Sequence, residues 1–149
     1  MSRVICVVCV AVLLALGAGV THPAPAAAFD RVANEDTIFR LVNHARVQRG
    51  LRPVQVTGSL HRAALAHSRD MLAHDYFGHS SAEGQVIAWG KSYRGTPETI
   101  FRNWMHSSVH RRVILHGGWR GIGVGCARGT YRGVGGAIMY TIDFGRRAQ

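Results

Sequence analysis

The strongest constraint on the fold is a change of periodicity in the last third of the chain. Glycine alternates with isoleucine, valine and cysteine over 121–126, and over 138–144 aliphatic and aromatic residues alternate with methionine, threonine and aspartate. A period of two is typical of strands, and the Gly- and Arg-rich segment 128–136 between them favours an antiparallel hairpin. No helix follows the spaced glycines directly, which excludes a dinucleotide-binding loop.

Helical signals precede this predicted hairpin. Asn34 is expected to cap a first helix, which the basic residues near its end and Gly50 terminate. Apolar residues at alternating spacings of four and three predict a second helix from about Ser59 to His74. A third helix begins with Thr96 as cap and Pro97 at its first position, and a short helical turn follows around 110–114.

The first 28 residues have the features of a secretory signal peptide. Arg3 precedes an apolar stretch from Val4 to Val20, and small residues follow at 24, 26 and 28. We therefore expect cleavage near Ala28 and a secreted, extracellular protein. The stretch also reaches the lower limit for a membrane span, so the alternative is an N-terminal anchor that is not cleaved.

Cleavage would leave a small domain without disulfides. Two of the three cysteines, Cys6 and Cys9, lie in the leader, so that only Cys126 remains. A packed core must then supply the stability, and a domain of roughly 120 residues can bury enough surface to do so. We expect a signal peptide over 1–28, a linker over 29–33 and one monomeric domain over 34–146.

The charge balance favours an anionic partner. Eighteen Lys and Arg oppose eight Asp and Glu, which gives a formal net charge of +10. Guanidinium groups form forked hydrogen bonds with phosphate, so anionic lipid headgroups or wall polymers are candidate partners. We do not expect a nucleic-acid partner, because an exported protein is separated from nucleic acid and no basic motif here is interleaved with aromatic residues.

Histidine occurs nine times and is the residue type here with the greatest capacity for metal binding or proton transfer. His79 and His110 are the two candidates worth testing as metal ligands, because imidazole commonly binds borderline metals. His106 and His110 would share a face on a continuous helix, but Ser107 stands where a zincin motif needs its glutamate. For each histidine, a hydrogen-bonded structural role is the alternative.

Six ordered motifs resemble the bacterial branch of the CAP superfamily, which includes cysteine-rich secretory proteins, antigen 5 and pathogenesis-related proteins. They cover nearly the whole mature chain and lie at 41–46, 77–80, 84–90, 104–111, 121–125 and 140–145. The resemblance implies an α+β fold, namely a three-layer α/β/α sandwich with a central antiparallel sheet. It also shows an apparent internal deletion between Ser81 and Gln85.

The resemblance further implies a cleft with two histidines and two acidic residues, which in several members binds a divalent metal. His79 and His110 match the two histidines, and Trp89 is expected as an aromatic of the core or cleft wall. Gln85 replaces the acidic residue of a Gly-Glu-Asn motif, and the second acidic position falls near Ser107. This chain therefore lacks a carboxylate at both positions.

These replacements determine the functional expectation. Two neutral imidazoles and an amide offer no negative ligand to a dication such as zinc, and an amide cannot act as a general base at neutral pH. We expect weak or absent metal binding, no certain cofactor, and a non-enzymatic protein that binds at the cell envelope. The alternatives are a metal-dependent hydrolase of envelope material and a degenerate copy whose deletion impairs folding.

Overall fold

The computed structural model describes residues 28–147, in which helices come first and the longest strands last, as predicted. The elements are α1 Arg31–Val47, β1 Gln55–Val56, α2 Gly58–Ala73, β2 Gly84–Lys91, the 3-10 turn Ser92–Gly95, α3 Pro97–His106, α4 Ser108–Ile114, β3 Gly121–Tyr131 and β4 Val134–Gly145. The predicted signal peptide and its two cysteines lie outside the described residues, except for Ala28 itself.

The predicted hairpin is confirmed. Strands β3 and β4 pair antiparallel from Gly121 opposite Gly145 to Tyr131 opposite Val134. Arg132 and Gly133 form the two-residue turn, with φ of 49° and 74°. Two left-handed residues match the twist of an antiparallel pair, which lets the strands extend through the glycine-rich segment.

The sheet has the order β1-β3-β4-β2 in the described part of the chain. Strand β2 pairs antiparallel with β4, which confirms the expected antiparallel centre, but the two-residue strand β1 runs parallel to β3 and makes the sheet mixed. The periodicity did not predict β2, because its first four residues are all buried and show no alternation.

Helices cover both faces of the sheet, as the three-layer arrangement requires. Helix α2 packs on β3 and β4, while α1 and α3 pack on the opposite face. The main core lies between the sheet and α1, α3 and α4, and its buried members include Ile38, Val42, Ile100, Trp104, Ile114, Ile122, Val124, Tyr140 and Ile142.

The glycines of β3 allow α2 to approach the sheet closely. A Cβ on Gly123 would lie under 3.0 Å from backbone atoms of Leu60 and His61, and one on Gly125 would overlap the backbone around Leu65 in the same way. Real Cβ atoms essentially never come so near to other heavy atoms. The alternation found in the sequence therefore gives β3 a glycine face that contacts α2 and an apolar face that packs toward α1.

The start of helix α1 differs from the sequence-based expectation. Helix α1 begins three residues before Asn34, because the side chain of Asp30 caps it by accepting the Ala33 N–H at 3.1 Å. The helix thus starts within segment 29–33, which we expected to be a linker. The Thr96 cap and the position of Pro97 in α3 are as predicted.

Helices α3 and α4 are not continuous. Ser107 has extended backbone angles, φ −84° and ψ 121°, between the end of α3 and the start of α4. The separate short helix predicted around 110–114 is present as α4, so His106 and His110 do not lie on one continuous helix. His106 instead bonds through Nδ1 to the carbonyl of Arg102, at 2.7 Å.

Cys126 is the buried small side chain expected from the sequence, with no exposed surface. Burial, reinforced by the nearby Glu35 carboxylate, raises the pKa of its thiol to about 12. At pH 8 only about one thiol in ten thousand would then be ionised. We expect iodoacetamide to label the Cys126 peptide at least about 100-fold more slowly in native buffer than in denaturant, measured by mass spectrometry. Equal rates would show that the site is open.

Candidate functional site

The candidate site lies at the start of the edge strand β2. The connection 74–83 leads from α2 into this strand, and His67 holds it by a 2.8 Å hydrogen bond between Nε2 and the carbonyl of Gly78. Tyr76 donates its hydroxyl proton to Asp70 on α2. These contacts fix the connection and thereby place His79 beside the second residue of β2.

The Gln85 side chain is buried and fully bonded. Its Oε1 accepts the backbone N–H of Ser80 at 2.9 Å and lies 3.1 Å from His79 Nδ1. Its Nε2 donates to Ser80 Oγ at 2.8 Å and to Asp143 Oδ1 at 2.9 Å. Since a backbone N–H can only donate, it fixes which end of the amide is oxygen.

This orientation also determines the tautomer of His79. An amide oxygen can only accept, so the His79 nitrogen facing it, Nδ1, must carry hydrogen. In the neutral ring Nε2 then keeps its lone pair. Gln85 therefore orients the imidazole as a carboxylate would, but it supplies no negative charge to raise the basicity of the ring.

Asp143 on β4 is a buried carboxylate that sequence reasoning missed. It is only 2% exposed, and the strand register places it directly opposite Gln85. Burial raises its pKa, while the Gln85 hydrogen bond and the charge of His67 act in the opposite direction. The sequence shows Asp143 only as one polar member of an alternating strand, since the pairing partner depends on a register that no local pattern specifies.

His110 is the second histidine of the site. It lies half-buried in α4, and its Nδ1 is buried without a hydrogen-bond partner among the described residues. Burial lowers the pKa of His110, and the nearby His79 lowers it further. Both effects favour the neutral imidazole of His110, and the second indicates that the two predicted histidines lie near each other.

Of the other two predicted residues, Ser107 lies at the start of the helix that carries His110, and Trp89 lies further along β2. Ser107 precedes α4 by one residue, and its hydroxyl caps no backbone group there. Trp89 is four residues beyond Gln85 on β2, roughly 13 Å along the strand at 3.3 Å per residue. Its ring packs edge to face on Tyr131, at 5.0 Å between centroids.

The side chains of this site do not fit a divalent metal ion. Over residues 28–147 no group of three or more His, Cys, Asp or Glu is placed to hold one. The oxygen of Gln85 is occupied by Ser80 and His79, and the Asp143 carboxylate lies behind the amide. Two imidazoles remain, fewer than the three protein ligands that a catalytic zinc ion usually has.

Comparison with known proteins finds similarity over most of the chain. A family model described as the cysteine-rich secretory protein family, CAP, matches residues 39–144. An uncharacterized protein of Bacillus subtilis, YkwD, is 33% identical over 108 residues, which is 62% of this chain. The chain spans 42% of that relative's length.

Solved structures share the fold at low identity. An extracellular protein from Bacillus anthracis that contains an SCP domain aligns with a TM-score of 0.63 and 22% identity, covering 78% of this chain and 41% of the other. An outer surface protein from Borrelia burgdorferi aligns with a TM-score of 0.66 and 11% identity, covering 80% and 97%. At these identities the likeness shows the fold alone.

Proposed function

The chain belongs to the cysteine-rich secretory protein (CAP) family, and from that premise we propose that it is an exported, non-enzymatic binding protein of the cell envelope. The observation that carries this proposal is the state of Gln85. Its amide occupies the position where a carboxylate is expected, and every polar atom of the amide is bonded within the protein. The cleft therefore offers neither a negative metal ligand nor a general base at that position.

The geometry around Ser80 supports binding over hydrolysis. Ser80 Oγ accepts hydrogen bonds from Gln85 Nε2 at 2.8 Å and from the Ala82 N–H at 3.2 Å. His79 Nδ1 faces Gln85 instead of this hydroxyl. An activated serine needs a base within hydrogen-bond reach, held by a third group. Ser80 is therefore not activated as a nucleophile, and this side chain gives the hydrolase alternative no support.

The charge distribution indicates an anionic ligand. Within residues 28–147, arginine pairs with a carboxylate only at Arg31, Arg40 and Arg146. Most other basic side chains are exposed, including Arg62, Arg69, Lys91, Arg94, Arg111 and Arg112. Unpaired surface guanidinium groups favour phosphate or carboxylate partners and raise association rates by electrostatic steering.

Export is part of this proposal. The pattern of residues 1–28 supports it, and one protein of similar fold is described as extracellular. None of the helices in the described residues is both long enough and apolar enough to span a bilayer.

Binding to envelope material should be sensitive to salt. We expect the purified protein to sediment with isolated cell walls or with anionic vesicles, and to be released by 0.5 M NaCl. At that ionic strength the Debye length is about 4 Å, so interactions between exposed charges are strongly screened. Neutral phosphatidylcholine vesicles are the control. Retention that is indifferent to 0.5 M salt would count against an electrostatic partner.

A further inference from the structure

A second candidate site lies at the opposite end of β2 from the histidines. Trp89, Lys91, Tyr93 and Arg94 form a surface that we call the Trp89–Arg94 surface. Trp89 is 38% exposed and Tyr93 68%, whereas Trp104 is 1% exposed. Exposed aromatic residues grouped with cations commonly mark a binding surface, because burying them on a ligand releases apolar area from water.

Contacts within the protein support this surface at several points. The Trp89 ring packs on Tyr131, which is 2% exposed. A Cβ on Gly90 would overlap the carbonyl group of Arg94, so the backbone of β2 and the 3-10 turn are in direct contact. Arg94 Nε donates to the Tyr93 hydroxyl at 2.9 Å. A preformed surface loses little conformational entropy when a ligand binds.

The surface is concave and extended. A concavity of about 710 Å³ is lined by all four residues together with Thr99 and Asn103. A neighbouring concavity of about 570 Å³ shares Lys91 and Tyr93 and adds Arg128. Both volumes are in the range of ligand sites, and because Lys91 and Tyr93 line both concavities we call the two together the groove.

The groove is positively charged throughout. Lys91, Arg94 and Arg128 line it, and no carboxylate lines either concavity. The Asp75 carboxylate accepts the Arg132 N–H at the nearby hairpin turn and lies outside both concavities. The exposed Glu98, between Pro97 and Thr99, is a carboxylate at the rim of these concavities, and the three cations that line them outnumber it.

We propose that this groove binds an acidic carbohydrate chain, with a sugar ring on Trp89 and the acidic groups on Lys91 and Arg94. The C–H face of a sugar packs well on an indole ring, and an arginine fork matches a carboxylate or phosphate. Thr99 and Asn103 supply the hydroxyl and amide groups that hydrogen-bond to sugar hydroxyls. This inference rests on the proposed envelope-binding function and names its ligand class.

Shape favours a carbohydrate chain over a lipid surface. A flat bilayer engages protruding aromatic and basic side chains, whereas Trp89, which is 38% exposed, lines a recess with a polar wall at Asn103. Two adjoining concavities also suit a polymer better than a single headgroup.

Titration calorimetry with tetragalacturonate tests the assignment, with the fully methyl-esterified tetramer as an uncharged ligand of the same ring structure. We expect the wild type to bind the ester at least about tenfold more weakly than the tetramer. Trp89→Ala and the double variant Lys91→Gln/Arg94→Gln should each bind the tetramer at least about tenfold more weakly than the wild type does. Tyr93→Ala should also weaken binding, and its high exposure keeps the fold unaffected. Arg62→Gln/Arg69→Gln removes the same two charges from α2 and should bind within about twofold of the wild type.

Three results would overturn the assignment. The first is that the wild type does not bind the tetramer, and the second is that Trp89→Ala and Tyr93→Ala bind it as tightly as the wild type. The third is that these variants lose binding to phosphatidylglycerol vesicles while no form of the protein binds the tetramer. If cell walls still bind the wild type in a salt-sensitive manner, only this inference fails. If the wild type binds no envelope material, the proposed function fails as well.

Discussion

Gly123→Ala is expected to destabilise the protein by about 4 kcal/mol or more. The new Cβ would lie under 3.0 Å from the α2 backbone at Leu60 and His61, and neither a strand nor a helix backbone can yield without losing its own hydrogen bonds. Helix α2 would have to lift from β3 and β4, which it covers. Overpacking against backbone belongs to the mechanisms that cost about 4 kcal/mol or more. This is a large part of the roughly 5 to 15 kcal/mol that typically stabilises a domain.

Gly135→Ala is the matched control for this prediction. A Cβ at Gly135, on β4, meets no atom within 4 Å. Both substitutions reduce the entropy of the unfolded chain equally, so their difference isolates the clash with α2. Urea titration followed by circular dichroism should place Gly135→Ala within about 1 kcal/mol of the wild type. Similar unfolding midpoints for the two variants would show that α2 does not depend on the glycine face.

Gln85→Glu, which restores the usual acidic residue, is expected to destabilise the fold by about 3 kcal/mol at pH 7. The new carboxylate oxygen would face Asp143 Oδ1, which now accepts from Gln85 Nε2 at 2.9 Å. Both side chains are buried, at 6% and 2% exposed, so the two carboxylates must repel each other or share a proton.

The pH dependence and a second substitution identify this cause. Sharing a proton raises a folded-state pKa above its unfolded value, so the folded variant binds more protons and loses stability as pH rises above about 4. The deficit should therefore be smaller at pH 4 than at pH 7. Asp143→Asn, added to Gln85→Glu, offers the new carboxylate an amide donor and should restore most of the lost stability. A single variant that melts like the wild type at pH 7 would contradict the close pairing with Asp143.

Local patterns in the sequence predicted the elements that show a clear periodicity or a capping residue. The hairpin, α2 and the Thr96 cap of α3 follow from alternation, spacing and capping chemistry. Local patterns did not predict β2, which is buried over its first half, or the parallel strand β1, which has only two residues. Their placement depends on long-range pairing, which a local pattern does not encode.

The candidate site was predictable only in part. Resemblance to the CAP superfamily pointed to His79, His110 and Gln85, and the structure places all three at one end of β2. Asp143 escaped notice because its proximity to Gln85 arises from the β2 to β4 register. Exposure of Trp89 likewise depends on its being near the end of an edge strand, which the motif around it does not reveal.

Zinc titration calorimetry of the wild-type protein tests the central claim most directly, namely that the histidine cleft lacks the ligands for a divalent metal. His79 and His110 are the remaining donors, and Gln85 is engaged by Ser80 and Asp143. We predict no binding in the submicromolar range at pH 7, and no difference between the wild type and His79→Ala in that range. Submicromolar zinc affinity that His79→Ala abolishes would contradict the claim and return the protein to the metal-dependent class.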